Sequence, residues 1–112
     1  MSEGIRTIIY PVKDLAKAKA LFGELLGRSP SVDQPYYVGY EIDRQHIGLL
    51  PNGQAGMDGP LPYVHVADIR GKLKALLAAG ATSVQDVKDV GGGRLVASVR
   101  DPDGNIIGLI QG

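Results

Sequence analysis

The sequence predicts an α+β fold made of two tandem β-α-β-β-(β) halves, and three observations support this. An aspartate precedes an amphipathic helical segment twice, at Asp14 and Asp68. The apolar segment 47–50 is echoed by 107–110, and a polar turn precedes each copy. A segment rich in Gly and Pro separates the copies, as is typical of a linker. The predicted boundaries are 1–52 for the first half, 53–60 for the linker and 61–112 for the second half, within a single domain 1–112.

The first half begins with a predicted strand over residues 5–10, rich in β-branched side chains. Asp14 is a suitable N-cap for a helix over 15–26, and the spacing of apolar residues predicts one buried stripe on it. Gly27 suits the left-handed conformation that ends many helices. The stripe comprises Leu15, Ala18, Leu21, Phe22, Leu25 and Leu26. A polar connector is predicted over 28–35, followed by strands over 36–42 and 46–50.

The second half repeats this order, with a strand over 61–66 and Asp68 as the next N-cap. A helix over 69–79 follows, with Ile69, Leu73, Leu76 and Leu77 on one face. Three further strands are predicted over 82–87, 94–100 and 106–110. The glycines 91–93 lack the Lys-Ser/Thr pair and the strand-to-helix context of a phosphate-binding loop, so a hairpin turn is the better interpretation.

Composition excludes several classes of function. Hydrophobic residues are 44% and charged residues 21% of the 112, which suits one globular domain. The formal net charge is zero, which argues against nucleic acid as a partner. No cysteine is present, so disulfides and metal–thiolate sites are excluded. No leader pattern and no apolar run of roughly 18 residues is evident, so we expect a cytoplasmic protein without a membrane partner.

Three motifs give the chain a family resemblance. They are Val12-Lys13-Asp14-Leu15 at the first helix, Ala78-Ala79-Gly80-Ala81 after the second, and Asp101-Pro102-Asp103-Gly104-Asn105 before the last strand. With the paired halves, these resemble the vicinal oxygen chelate superfamily, which includes glyoxalase I, bleomycin-resistance proteins and extradiol dioxygenases. The resemblance implies that the two modules form an open, curved, barrel-like mixed sheet around a ligand cavity, with the helices outside. It also implies a homodimer.

The resemblance further implies where metal ligands would lie. Metal enzymes of the family hold a divalent ion with one side chain from the first and one from the last strand of each half. In the register of the repeat these positions are Thr7, Gly48, Leu61 and Gly108. None is a strong ligand, and a shift of one residue brings only apolar neighbours on the closing strands. We therefore expect no metal and no other cofactor, and we assign no catalytic residue.

Four residues are candidates for binding a small molecule: Thr7, His46, Tyr63 and His65. Strand alternation places Tyr63 and His65 on the face of Leu61, and His46 on the face of Gly48. Half-buried strand positions are an alternative interpretation of Tyr63 and His65. A substitute metal site from both histidines would need a carboxylate such as Glu41. Alternation also places Tyr36 and Tyr40 on one face of a strand and Tyr37 on the other. Packing and a stacking platform for a flat ligand both remain open as interpretations of these three tyrosines.

With its family resemblance, the sequence therefore favours a metal-free protein of the bleomycin-resistance type that binds and sequesters an aromatic or polar small molecule. A divalent-metal-dependent, glyoxalase-like lyase or dioxygenase with a non-standard site is the alternative. A metal-free lyase or isomerase using His65 as acid or base is a third. Gly48 and Gly108 permit close approach of another group, but neutral loss of a ligand explains them equally.

Overall fold

A computed structural model describes residues 2–53 and 57–112, with the backbone alone at residues 2 and 3. Part of the predicted linker, residues 54–56, lies outside this range. The chain divides into two compact units, one of Thr7–Pro60 and one of Leu61–Gly112 with the residues up to Arg6. The assignment of the whole chain to one domain stays a prediction.

The elements follow the predicted α+β order, one helix and four strands in each module. The first module contains β1 (Ser2–Val12), α1 (Leu15–Leu26), β2 (Val32–Gln34), β3 (Tyr37–Ile42) and β4 (Gln45–Pro51). The second contains β5 (Leu61–Val66), α2 (Ile69–Ala78), β6 (Thr82–Asp89), β7 (Leu95–Arg100) and β8 (Ile106–Gln111).

Strand order is the same in the two modules. In the first it is β2-β3-β4-β1, with β4 parallel to β1 and the other pairs antiparallel. In the second it is β6-β7-β8-β5, with β8 parallel to β5 and the other pairs antiparallel. The predicted repeat is therefore one of topology as well as of sequence.

Both helices begin at the predicted aspartates. The carboxylate of Asp14 accepts a hydrogen bond from the backbone N–H of Lys17, and that of Asp68 accepts one from Gly71. Each bond satisfies an N–H group that has no partner within the helix. Gly27 adopts the left-handed conformation, with φ of 67°, and ends α1 as predicted.

Each helix packs on one face of its own sheet. Beneath α1 the buried residues are Val38, Tyr40 and Leu49. Beneath α2 the buried cluster comprises Val66, Ile69, Leu73, Ala97, Val99 and Leu109. Because side chains alternate along a strand, the other face of each sheet carries a separate set of residues, and that face contains the candidate site.

Three expectations were wrong in detail. The apolar stripe on α1 is narrower than predicted, since Leu21 and Leu25 are 65% and 71% exposed. On α2 the same holds for Leu77, which is 41% exposed. The predicted connector 28–35 contains the short strand β2, whose three residues are all exposed and pair with β3. An exposed edge strand buries no apolar face, so it leaves no hydrophobic alternation in the sequence.

Candidate functional site

The first sheet presents a polar group of side chains on the face opposite α1. Val38 and Tyr40 of β3 pack beneath α1, so Tyr37 and Glu41 lie on the other face. In β4 the same alternation places His46 there. The antiparallel register sets Glu41 opposite His46, which brings a carboxylate and an imidazole from different strands together.

Two glycines in this face lie opposite each other, Gly39 on β3 and Gly48 on β4. A Cβ atom on Gly39 would lie 2.7 Å from Cε1 of His46. A Cβ atom on Gly48 would lie 2.6 Å from Cζ of Tyr37 and 2.6 Å from Cδ1 of Ile9, and closer still to the Tyr37 hydroxyl. The glycine pair therefore provides the space in which the rings of Tyr37 and His46 lie. At Gly48 the group that makes the close approach is the Tyr37 side chain.

Tyr37, His46 and Glu41 form a continuous hydrogen-bonded group. The Tyr37 hydroxyl lies 2.5 Å from Nε2 of His46, and Nδ1 of the same ring contacts the Glu41 carboxylate. The two rings are nearly parallel, at 11°, with centroids 5.9 Å apart. An ionised carboxylate only accepts hydrogen bonds, so Nδ1 carries a proton and donates to Glu41. With the ring proton on Nδ1, Nε2 is the acceptor for the tyrosine hydroxyl.

Exposure differs along this group. The side chain of His46 is 19% exposed and that of Glu41 is 54% exposed, so the carboxylate end faces solvent. The tyrosine end is half-buried. The arrangement therefore connects a partly covered hydroxyl to a solvated carboxylate through an imidazole.

Thr7 lies beside this group, as the cross-strand neighbour of His46 in the parallel β1–β4 pair. It is only 6% exposed. The structure thus brings together two of the four predicted ligand-binding residues, Thr7 and His46. It adds Tyr37, which the sequence had offered only as a packing residue or stacking platform. The missing signal was the register of β3 against β4, which strand alternation alone does not give.

The other two predicted residues, Tyr63 and His65, lie in β5 of the second sheet, on the face opposite α2. Tyr63 pairs with Gly108 of β8, and a Cβ atom on that glycine would lie 2.6 Å from Cδ2 of the Tyr63 ring. Tyr63 is 4% exposed, and burial raises the pKa of its phenol. His65 is half-buried and pairs with Ile110. The binding role of these two residues stays a prediction.

The four positions implied for metal ligands do not fit a metal ion. At Gly48 and Gly108 a tyrosine ring occupies the space that a carboxylate side chain would need. Leu61 is buried and apolar, and Thr7 supplies a hydroxyl alone. Divalent ions in proteins take carboxylate and imidazole ligands. Across residues 2–53 and 57–112 no group of three or more His, Asp or Glu side chains is assembled.

A groove of about 610 Å³ lies elsewhere in the first module, along α1 and the segment after it. Small side chains and glycines of α1 leave this space, and Tyr40 closes one side. The Tyr40 hydroxyl donates to the Lys19 carbonyl, and the Lys19 ammonium pairs with Asp33 at 2.6 Å. Tyr40 lies on the α1 side of β3, so this groove is separate from the Tyr37 group.

Several solved structures have a fold similar to that of this chain. A superfamily member from Vibrio splendidus 12B01 superposes with a TM-score of 0.73 at 17% identity, over 96% of this chain and 99% of the other. Methylmalonyl-CoA epimerase from Mycobacterium tuberculosis gives 0.73 at 15%, over 98% and 88%. The Mn(II)-bound glyoxalase from Novosphingobium aromaticivorans gives 0.72 at 19%, over 99% and 40%. Identities this low establish the fold alone.

Within residues 2–53 and 57–112, neither helix has the length and apolar character needed to cross a bilayer.

Comparison of the sequence with known proteins gives two results. No curated protein sequence matches this one. A family model does match, over residues 4–109, which is nearly the whole chain. On that match, the chain belongs to the Glyoxalase/Bleomycin resistance protein/Dioxygenase superfamily.

Proposed function

We propose that this superfamily member binds a small aromatic or polar molecule without a metal ion. The supporting observation is that the Tyr37 hydroxyl, which is hydrogen-bonded to His46, occupies the space that a side chain at position 48 would need. Hydroxyl groups orient a ligand through hydrogen bonds, here with His46 orienting that of Tyr37, and neighbouring apolar groups such as Ile9 supply contact area. Thr7 adds a second hydroxyl beside His46.

The side chains on this face also support binding without a metal ion. A hard divalent ion requires several carboxylate or imidazole ligands with open positions for substrate oxygens. The single imidazole of this face already contacts Glu41 and Tyr37. Its hydrogen-bonding capacity is committed to orienting the tyrosine.

Two measurements test the proposal. The first is the metal content of the purified protein after dialysis, together with thermal unfolding with and without Mn²⁺, Ni²⁺ or Zn²⁺. We expect substoichiometric metal and no stabilisation. Near-stoichiometric metal that survives dialysis would contradict the proposal and favour the glyoxalase-like lyase or dioxygenase.

The second measurement is thermal unfolding against a panel of small aromatic and polar compounds. A compound that binds the native state alone raises the unfolding temperature. We expect Thr7→Val to weaken the shift of any such compound, because Thr7 is buried beside His46. Thr82→Val, at an exposed position of β6, is the control. The homodimer and the cytoplasmic location stay predictions, and sedimentation tests the former.

A further inference from the structure

We propose that Tyr37, His46 and Glu41 form a proton relay that takes the proton from a weakly acidic hydroxyl group, that of a bound phenol or enol. The inference rests on the proposed binding function and adds a chemical class of ligand and a proton transfer to it. The hydrogen bonds from Tyr37 to His46 and from His46 to Glu41 carry the argument.

The proton movements balance within the group. The ligand hydroxyl gives its proton to Oη of Tyr37, while the proton of the Tyr37 hydroxyl passes to Nε2 of His46. Nδ1 keeps its proton and its hydrogen bond to Glu41. The products are the ligand oxyanion, an unchanged phenol that donates to that oxyanion, and an imidazolium paired with a carboxylate. Only O–H and N–H bonds break and form, and no other reactant is needed.

The order of the three residues gives the transfer a direction. Glu41 fixes the tautomer that leaves Nε2 as the acceptor, and it stabilises the imidazolium when that forms. The positive charge forms on a ring that is 19% exposed, where its interaction with the carboxylate and with the new oxyanion is stronger than in bulk water. Gly39 and Gly48 leave the room in which the two rings make this contact, because a Cβ atom at either position would displace them.

The relay selects acids of intermediate strength. A carboxylic acid is already ionised at neutral pH and requires no base, whereas an aliphatic alcohol is far too weak for an imidazole to ionise. Phenols and enols lie between these limits. A phenol also suits this face because Ile9 lies on it, against the position of Gly48, and provides apolar contact for an aromatic ring.

The test compares 4-nitrophenol with 4-nitroanisole, which has the same ring but no ionisable proton. Binding is measured by equilibrium dialysis, and ionisation by the visible absorbance of the nitrophenolate, at a pH below the pKa of the free probe. We expect both compounds to bind. We expect the bound nitrophenol to be ionised to an extent that corresponds to a fall of its pKa by about one unit, or tenfold in the ionisation equilibrium.

Variants assign the effect to the relay. Tyr37→Phe and His46→Gln are expected to abolish the ionisation of the bound nitrophenol while retaining 4-nitroanisole, whose binding reports that each variant is folded. Glu41→Gln is expected to weaken the ionisation. Tyr36→Phe is the matched control. Tyr36 directly precedes Tyr37 in the chain, lies outside β3 and is 69% exposed.

Each outcome is decisive. Nitrophenol that binds in its neutral form overturns the relay and leaves the binding function intact. Ionisation that persists in Tyr37→Phe or His46→Gln also overturns the relay. Failure of both compounds to bind overturns phenols as the ligand class, while the binding function is decided separately by the compound panel. Ionisation lost in the two relay variants and kept in the control supports the proposal.

Discussion

The hydroxyl group of Tyr37 lies at the point where a side chain at Gly48 would begin. In the second module the ring of Tyr63 lies against Gly108 in a similar way. The two tyrosines reach their glycines from different neighbours, one from the antiparallel strand β3 and the other from the parallel strand β5. Aromatic side chains thus cover the glycine of the closing strand in both modules, through different residues of the repeat.

The first prediction concerns the room at Gly48. We expect Gly48→Ala to lower the free energy of unfolding by about 1–3 kcal/mol, because the new methyl group forces Tyr37 and Ile9 out of their positions. Urea denaturation measures the change. Gly59→Ala is the control, since nothing lies within 4 Å of a Cβ there and its φ is not positive. Equal effects of the two substitutions would contradict the role of Gly48.

A second prediction uses a double-mutant cycle at the other glycine. We expect Gly108→Ala to be destabilising, and to cost at least about 0.5 kcal/mol less when Tyr63 is already alanine, because residues in contact are not additive. The control repeats the cycle with Tyr36→Ala, an exposed residue of the other module. There the effects should add within about 0.3–0.5 kcal/mol. Additivity in the Tyr63 cycle would show that the Tyr63 ring does not limit the space for a side chain at position 108.

Much of the fold follows from the sequence, because local signals determine it. Asp14 and Asp68 cap their helices through contacts within one turn, and the repeated apolar strands set the modules. The candidate site follows only in part. Thr7 and His46 could be predicted from the register implied by the family resemblance. Tyr37 joins them only through the pairing of β3 with β4. That register depends on tertiary packing.

A third prediction concerns alkaline pH. Burial raises the pKa of Tyr63 above its ordinary value of about 10. Its stabilising contribution is therefore complete below pH ~10, where both states are protonated, and is lost as pH rises through the folded-state pKa, because the unfolded chain releases its proton first. Unfolding by urea across this range should show falling stability in the wild type and a shallower fall in Tyr63→Phe. Tyr36→Phe should match the wild type, and an identical slope in all three would contradict the assignment.

Acid conditions provide a fourth prediction, at the turn before β8. Asp101 accepts hydrogen bonds from the side chain and backbone of Asn105 and from the backbone N–H of Asp103, and these lower its pKa. The associated stability is present above the ordinary aspartate pKa and is lost as pH falls through the lowered value.

We therefore expect Asp101→Asn to reduce the unfolding temperature near neutral pH, and the deficit to shrink as the wild-type carboxyl becomes protonated. Asp103→Asn is the matched control, because only the backbone N–H of Asp103 contributes to the hydrogen bonds at Asp101. A deficit that is independent of pH would show that the negative charge of Asp101 does not stabilise the turn.

The last prediction concerns the leucines of α1. Leu21 and Leu25 are 65% and 71% exposed, whereas Leu49 beneath the helix is fully buried. We expect Leu21→Gln and Leu25→Gln to change the free energy of unfolding by no more than about 0.5 kcal/mol. Leu49→Ala should cost about 2–5 kcal/mol, because it leaves a cavity between α1 and the sheet. Urea denaturation at several protein concentrations separates two explanations of a larger loss at the exposed sites. A loss independent of concentration would place these leucines in the core, whereas a loss that grows with concentration would indicate that a second copy of the chain covers them in the predicted homodimer.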